Sequence, residues 1–373
     1  MKFSKRTEWN QQTNPLSQLL DELKSQNTEI LDLTESNPTR CGFDYPPQIL
    51  TSLSDPKSLQ YTPDACGTLP ARQAVGNFCQ FDPERIVLTA STSESYSFLF
   101  RLLLNPGEKV LIPRPSYPLF QFLLELNDAS FEYYSLIYDN GWHIDFKQLE
   151  TLIDSQTKAI VLVNPNNPTG SYIKEDELQK LNALCRTHGL AVISDEVFFD
   201  YPLTQGKFAS LKDNREVLTF VLGGLSKSLA LPQMKLGWIL ASGPQTQVDE
   251  ALQRLEIIGD TYLSVNTPVQ NACRQWLANS DGIHEQILSR VKTNLQWLKQ
   301  SGLNVLKVEG GWYAVLDMGA IDEEQVVLDT LRKNHILIHP GFFFDFETAG
   351  HLVVSLLPRP EVFVKIACLK KGF

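Results

Sequence analysis

The chain has 373 residues, of which 43% are hydrophobic and 20% charged, so it is long enough for more than one globular domain. Its net charge of −10 is spread along the chain without a basic stripe, which argues against nucleic acid as a partner. The N-terminal residues lack the apolar core of a signal peptide, and no stretch reaches the ~20 apolar residues of a membrane helix, so we expect a cytoplasmic protein with no membrane partner.

Short β-rich runs alternate with helical patterns from about residue 85 to residue 242. Several runs, such as IVLVNP and AVISDE, are apolar without alternation, which is typical of strands that are covered on both faces. Helical patterns lie between them at 94–104 and at 175–188, where Gly189 ends the pattern. We therefore predict a three-layer α/β/α domain with a mostly parallel seven-stranded sheet, whose strands are residues 85–89, 109–113, 131–137, 159–164, 191–195, 218–223 and 237–241.

The pattern changes after Ala251. A long helical region covers about 269–300, and short strands are predicted at 304–308, 312–317 and 351–356, which together indicate a smaller α+β unit. The six cysteines are scattered and have no zinc-like spacing, so we expect reduced thiols and no metal site.

A cluster of small hydroxyl residues stands between the first predicted strand and its helix, in RIVLTASTSESY. Free N–H groups at a helix N-terminus, completed by the hydroxyls of Ser91, Thr92 and Ser93, form an anion site suited to phosphate. Taken alone, the same residues fit an ordinary helix N-cap better than an anion site.

Polar residues also end two later strands, at the edge where α/β folds bind ligands. Asn167 lies in the loop NPNNPTG and can donate its amide to an oxyanion-like oxygen. Asp195 ends AVISD, where a buried carboxylate needs a partner such as a cationic ring nitrogen. An N-cap or an ordinary ion pair is the alternative for Asp195.

Lys227 follows an apolar strand and two glycines, and serines stand on both sides of it in VLGGLSKSLAL. Burial in such a context disfavours the ammonium form and leaves a nucleophilic amine suited to Schiff-base chemistry. Most lysines are solvated surface residues, so the context, and not the residue type, supports this hypothesis.

The order NPNNPTG, SDEVF and LSKSLALPQMKLGW resembles that of class I/II aminotransferases, which are pyridoxal-phosphate enzymes of fold type I. The segments DLTESNPT, YTPDACGTLPARQAV, PRPSYPLF and HPGFFFDF extend the resemblance over nearly the whole chain. The resemblance implies a large cofactor-binding domain at 40–276 and a small domain built from both termini, 1–39 and 277–373. It also implies transfer of an amino group between an amino acid and a 2-oxo acid.

The resemblance assigns roles to individual residues. Lys227 would form the Schiff base with pyridoxal 5′-phosphate and shuttle the proton, and Asp195 would keep the pyridine nitrogen protonated. Asn167 would hydrogen-bond the phenolic oxygen, and Tyr117 would stack on the ring. The other cofactor-binding residues would be Ser91, Thr92, Ser93, Ser226, Lys235 and Tyr61, with Tyr61 reaching across a homodimer interface.

Four positions depart from the family pattern. Phe198 stands where tyrosine is common, Lys235 replaces a phosphate-binding arginine, and Gly224 replaces a hydroxyl residue. The arginine that binds the substrate carboxylate is replaced by Val353.

Another group must then bind the substrate carboxylate, because an unpaired buried carboxylate is costly. Arg40 is the preferred candidate, and Arg359 is the alternative. Ser36 and Asn37 lie in the same segment as Arg40 and are also expected to bind the substrate, because the resembling family brings this segment close to it. A surface ion pair is the ordinary role for an arginine such as Arg40.

Two other functions remain open at this point. A carbon–sulfur β-lyase would share Lys227, Asp195 and Asn167 with an aminotransferase, so these residues do not separate the two reactions. A non-catalytic regulator that retains the cofactor is the second alternative, although such relatives usually carry a fused DNA-binding module for which this chain has no room.

Overall fold

The computed structural model describes residues 1–365; residues 366–373, which end the predicted small domain and include Cys368, lie outside the described part. The strands are β1 (Leu31–Asp32), β2 (Ile86–Thr89), β3 (Lys109–Arg114), β4 (Ser130–Tyr138), β5 (Trp142–Ile144), β6 (Thr157–Val163), β7 (Ala191–Asp195), β8 (Thr219–Gly224), β9 (Gly237–Ser242), β10 (Tyr313–Asp317), β11 (Ile336–Leu337), β12 (His339–Pro340) and β13 (His351–Ser355). The helices are α1 (Pro15–Ser25), α2 (Gln48–Thr51), α3 (Leu69–Cys79), α4 (Thr92–Leu103), α5 (Phe120–Leu126), α6 (Phe146–Leu152), α7 (Glu175–His188), α8 (Leu225–Ser228), α9 (Gln245–Tyr262), α10 (Thr267–Ala278), α11 (Asp281–Gln300), α12 (Glu323–Asn334) and α13 (Pro360–Phe363).

The large sheet has the strand order β2-β9-β8-β7-β6-β3-β4-β5. Strands β8, β7, β6, β3 and β4 run parallel, whereas β9, β2 and β5 pair antiparallel with their neighbours. The predicted fold class and all seven predicted strands are confirmed. The eighth strand, β5, was not predicted, because three residues are too few to show a strand pattern.

Apolar side chains cover both faces of the central strands. In β6, Ile160 and Leu162 belong to one core cluster with residues of α3, α7 and α10, whereas Val161 belongs to another with residues of α4, α5 and α9. Successive side chains of a strand point to opposite faces, so the unbroken apolar runs place a helix layer on each side. This is the predicted three-layer arrangement.

The smaller unit contains the antiparallel sheet β10-β13-β12 and joins the two ends of the described chain. Strand β1 pairs parallel with β11, and α1 packs on α12, with Leu16, Leu19 and Leu23 in the same core cluster as Val327 and Leu331. The division at residues 40 and 276 stays a prediction.

Two details of the smaller unit differ from the sequence prediction. The predicted strand at 304–308 is wrong, because this segment forms only an isolated bridge between Val305 and Leu316. The helical region at 269–300 consists of two helices, α10 and α11, and Ser280 is the N-cap residue of the second.

A line of contacts joins the two units beside the cofactor-stacking loop predicted around Tyr117. The Ser116 amide donates to the Phe344 carbonyl at 2.9 Å, and the Tyr133 hydroxyl donates to Asp345 at 3.3 Å. Arg114 pairs with Glu347. These contacts tie the loop after β3 to the segment after β12.

Within residues 1–365, no helix is long and apolar enough to cross a membrane. The same part of the chain contains no cluster of three or more His, Cys, Asp or Glu residues that could hold a metal ion. Its cysteines are all free thiols: Cys41, Cys66, Cys79, Cys185 and Cys273.

Candidate active site

The residues predicted to be catalytic or to bind the cofactor ring lie at the ends of three neighbouring parallel strands, at one edge of the large sheet. Asn167 follows β6, Asp195 is the last residue of β7, and Lys227 follows β8 in the short helix α8. Because the carboxyl ends of parallel strands lie at the same edge, residues far apart in sequence become neighbours.

Asp195 is buried at this edge, and hydrogen bonds hold both of its carboxylate oxygens. Its Oδ1 accepts from the Val197 amide at 3.1 Å, and its Oδ2 accepts from the Tyr96 hydroxyl at 3.0 Å. Burial raises the pKa of Asp195 to about 6, while these hydrogen bonds and the charge of Lys227 oppose the rise. The carboxylate is therefore ready to accept a cationic partner.

The Lys227 amine lies between two aromatic faces. Its Nζ is 5.1 Å from the centre of the Trp312 ring and 5.5 Å from that of Phe198. Burial lowers the pKa of Lys227 to about 8, and the negative charge of Asp195 opposes that shift. A lysine with this pKa is a competent nucleophile near neutral pH.

Asn167 and Tyr117, the residues predicted to contact the cofactor ring, lie in the loops that follow β6 and β3. The Asn167 side chain is buried, and its Oδ1 has no hydrogen-bond partner among the described residues. Burial raises the pKa of Tyr117 to about 12, and the nearby negative charge of Asp195 adds to the rise. The unpaired Oδ1 is an acceptor and needs a donor, whereas the predicted hydrogen bond to the phenolic oxygen would come from the Asn167 Nδ2.

The predicted phosphate turn begins α4. Ser91 is the N-cap residue, and its Oγ accepts from the Glu94 amide at 3.2 Å, so the N-cap interpretation is confirmed and the anion site stays a prediction. Gly237 packs so closely that an added Cβ would lie 3.0 Å from the Thr92 nitrogen. Ser93 lies in the first turn of the same helix.

Ser226 lies in α8 beside Lys227, and Lys235 lies between α8 and β9. Lys235 is exposed at φ 55°, and the next residue, Leu236, accepts at its carbonyl a 3.0 Å hydrogen bond from the amide of Leu225. Gly224 is explained by the same contact, because a Cβ there would lie 3.0 Å from the Leu236 oxygen.

The remaining predicted residues have other surroundings. Tyr61 is 76% exposed. Ser36 contacts Tyr313, and Asn37 caps a short 3₁₀ helix through its hydrogen bond with Thr39.

Arg40 exposes 74% of its side chain and pairs with Glu35 at 3.8 Å, which is the ordinary surface arrangement. Arg359 packs against Gly42. Val353 is buried beside Trp142 and Phe344, so an apolar surface stands where the family pattern has an arginine.

Three aromatic residues of the site were not predicted from the sequence. Tyr96 lies on the buried face of α4, where helical spacing indicates only core packing. Trp312 contacts Lys227, and Tyr313 contacts Phe198 at 6.2 Å between ring centres. Their position beside the lysine depends on how the smaller unit meets the sheet, which no local pattern reveals.

The residues at this edge fit pyridoxal phosphate. They offer a desolvated amine, a buried carboxylate for a ring nitrogen, an unpaired amide, an aromatic face and a helix N-terminus for phosphate. A mostly parallel sheet with these groups at its carboxyl edge defines a pyridoxal-phosphate-dependent enzyme of fold type I.

The family model for aminotransferase class I and II matches residues 28–362, so the chain belongs to this family. It is 29% identical over 368 residues to an alanine aminotransferase of Mycobacterium tuberculosis, covering 92% of this chain and 85% of the relative. It is 26% identical over 360 residues to the glutamate-pyruvate aminotransferase AlaA of Escherichia coli, covering 91% and 89%. The alanine aminotransferase of Pyrococcus furiosus has the same fold, with a TM-score of 0.90 at 23% identity and coverage of 100% and 99%.

Family membership establishes a transferase of amino groups that acts on amino acids and 2-oxo acids with pyridoxal phosphate. The relatives named above are aminotransferases, and they lend no support to a carbon–sulfur lyase or to a non-catalytic regulator.

Proposed function

We propose that Lys227 binds pyridoxal phosphate covalently through its amine and then moves the proton at the α-carbon of the substrate. The observation that carries this proposal is the buried Lys227 amine, 5.1 Å from the centre of the Trp312 ring, whose pKa of about 8 is set by burial and by the opposing charge of Asp195. When bound, the cofactor supplies an electron sink for the carbanion at the α-carbon. An amine with a pKa of about 8 is about half neutral at pH 8, and its neutral form can both attack a carbonyl and accept a proton.

The neighbouring residues hold the cofactor in this proposal. Asp195 keeps the ring nitrogen protonated, Asn167 donates to the phenolic oxygen, and Tyr117 covers one face of the ring. The turn 91–93 binds phosphate at the N-terminus of α4, together with Ser226 and Lys235. Lys235 keeps the charge of the usual arginine but lacks its two-pronged geometry.

We propose an amino acid with an uncharged side chain as one substrate and glutamate as the other amino donor. The names of the relatives, alanine and glutamate-pyruvate aminotransferase, support this pairing. The aromatic rings of Phe198, Trp312 and Tyr313 around the lysine also favour an uncharged side chain.

A half-reaction screen tests the substrate proposal. The loaded enzyme is mixed with single amino acids, and the cofactor absorbance is followed as it changes to that of the pyridoxamine form. Alanine and glutamate are expected to convert the enzyme, whereas lysine and arginine are not. Conversion by the basic amino acids alone contradicts the proposal.

Borohydride reduction and peptide mapping test the lysine. The label is expected on the peptide that contains Lys227, and Lys227→Ala is expected to abolish turnover and covalent attachment while phosphate contacts still retain some cofactor. Lys174 is the control lysine, because it is also partly buried but pairs with Glu309, and it should stay unlabelled. Labelling of a different lysine would refute the assignment.

We also propose a cytoplasmic homodimer in which Tyr61 reaches the partner's phosphate site. The apolar side chains of Leu59, Tyr61 and Ile257 are 92%, 76% and 71% exposed, which is unusual for a free surface. Sedimentation of the native protein is expected to give twice the chain mass. In Tyr61→Phe, we expect weaker cofactor binding with the same mass.

A further inference from the structure

We propose that Tyr96 is a positioning residue that fixes the Asp195 carboxylate and keeps it ionised for the cofactor. This inference rests on the proposed role of Asp195. The Tyr96 hydroxyl donates to Asp195 Oδ2 at 3.0 Å, and both side chains are buried. A fully buried hydroxyl bonded to a carboxylate is a charge-assisted interaction, which is stronger than a bond between neutral groups.

The hydrogen bonds to Asp195 come from opposite ends of the carboxylate. Val197 donates to Oδ1 from the strand end, whereas Tyr96 donates to Oδ2 from α4. Because each oxygen is held, the carboxylate plane cannot rotate freely, and its remaining lone pairs keep one direction. That fixed direction is what a ring nitrogen needs in order to meet the carboxylate in line.

Tyr96 itself is held rigidly by aromatic neighbours. Its ring lies 5.8 Å from that of Phe100 and 5.4 Å from that of Phe120, the latter edge-on at 87°. It stands one helical turn after Thr92, so a single helix carries both the phosphate turn and the donor to Asp195. Helix α4 therefore sets the spacing between the two ends of the cofactor.

The hydroxyl also controls the charge of Asp195. Burial raises the pKa of Asp195 to about 6, and the Tyr96 hydrogen bond opposes that rise. The ionisable side chains that influence Asp195 among residues 1–365 are Tyr96, Tyr117 and Lys227. Without the Tyr96 hydroxyl, the carboxylate would hold its proton up to a higher pH.

The test compares Tyr96→Phe with Tyr134→Phe. Tyr134 is also fully buried, and its hydroxyl donates to the Val161 carbonyl at 2.7 Å, so the control loses a buried hydroxyl without touching Asp195. Pyridoxal phosphate is titrated into each apoenzyme from pH 5 to 9, and binding is followed by quenching of tryptophan fluorescence.

Binding needs the ionised carboxylate, so the affinity falls as the pH drops through the pKa of Asp195. Loss of a hydrogen bond to a charged group shifts that pKa upward by about one unit. In Tyr96→Phe, the pH at which binding weakens should therefore rise by about one unit. Kd should increase about fivefold near pH 6, and the increase should approach tenfold near pH 5. Tyr134→Phe should follow the wild type.

A second readout separates positioning from simple stability. In the half-reaction with alanine, Tyr96→Phe should slow the maximal rate about tenfold while the alanine concentration at half-maximal rate changes less than twofold. The inference is overturned if both variants show the same pH profile. It is also overturned if Tyr96→Phe unfolds at a far lower temperature than Tyr134→Phe but binds the cofactor normally. If the wild-type apoenzyme binds no pyridoxal phosphate, the proposed function itself fails.

Discussion

Replacing Trp312 should lower the pKa of Lys227 below its value of about 8. The Lys227 Nζ lies 5.1 Å from the centre of the Trp312 ring, and the face of an aromatic ring attracts a cation. A cation–π contact contributes about 0.5–2 kcal/mol to the ammonium form. Because one pKa unit corresponds to about 1.4 kcal/mol, Trp312→Leu should lower the Lys227 pKa by roughly 0.4–1.5 units.

Trp312→Phe is the matched control, because it keeps an aromatic face. It also removes the indole Nε1–H, a buried donor with no partner in the described chain, so part of the packing loss is offset. Trp312→Leu loses more, since the Trp312 ring also packs at 5.2 Å on both Phe198 and Tyr201. We expect Trp312→Leu to lower the free energy of unfolding by about 3 kcal/mol, which an ordinary protein can lose and remain folded.

The pKa is measured on the apoenzyme by competitive labelling. Trace acetic anhydride is added between pH 6 and 10, and the labelled fraction of the Lys227 peptide is read by mass spectrometry against that of the surface residue Lys24. The midpoint should move downward in the order wild type, Trp312→Phe, Trp312→Leu. An unchanged or raised midpoint in Trp312→Leu would refute the proposed contact between ring and cation.

Four further substitutions test the site. Asp195→Asn should raise the activation barrier for proton abstraction by several kcal/mol, which slows a single turnover about a thousandfold or more. Near-normal rates would contradict the role of Asp195. Phe198→Tyr adds a donor to the charged phenolic oxygen and should lower the midpoint of the pH-dependent change in cofactor absorbance; a rise or no change counts against it. If Arg40 binds the substrate carboxylate, Arg40→Ala should raise the amino-acid KM and leave the cofactor absorbance unchanged. A rise in KM in Arg359→Ala alone would assign the carboxylate to Arg359. An unchanged KM in both variants would exclude both arginines.

Local signals predicted the parts of the fold that they physically determine. Helix α7 has the predicted bounds, because its apolar spacing is regular and Gly189 ends it at φ 66°. The predicted strand at 304–308 was wrong, because its apolar residues resemble a paired strand in sequence although the segment pairs with β10 only as an isolated bridge.

Some residues of the candidate site could likewise be predicted from the sequence, and others could not. Asp195 and Lys227 could be predicted to meet, because each follows a buried parallel strand and such strands end together. Tyr96 could not, since a tyrosine on the apolar face of a helix gives no sign of the carboxylate above it. Trp312 reaches the lysine only through the packing of the smaller unit on the sheet.

The packing of α1 on α12 has a consequence for folding during synthesis of the chain. Leu16, Leu19 and Leu23 find their core partners, Val327 and Leu331, only near the other end of the described chain. At ribosomal rates of about 5–20 residues per second, the ~300 intervening residues take roughly 15–60 s to appear. During that interval, the apolar face of α1 is left without its native cover on the nascent chain, where chaperones and other nascent chains compete for it.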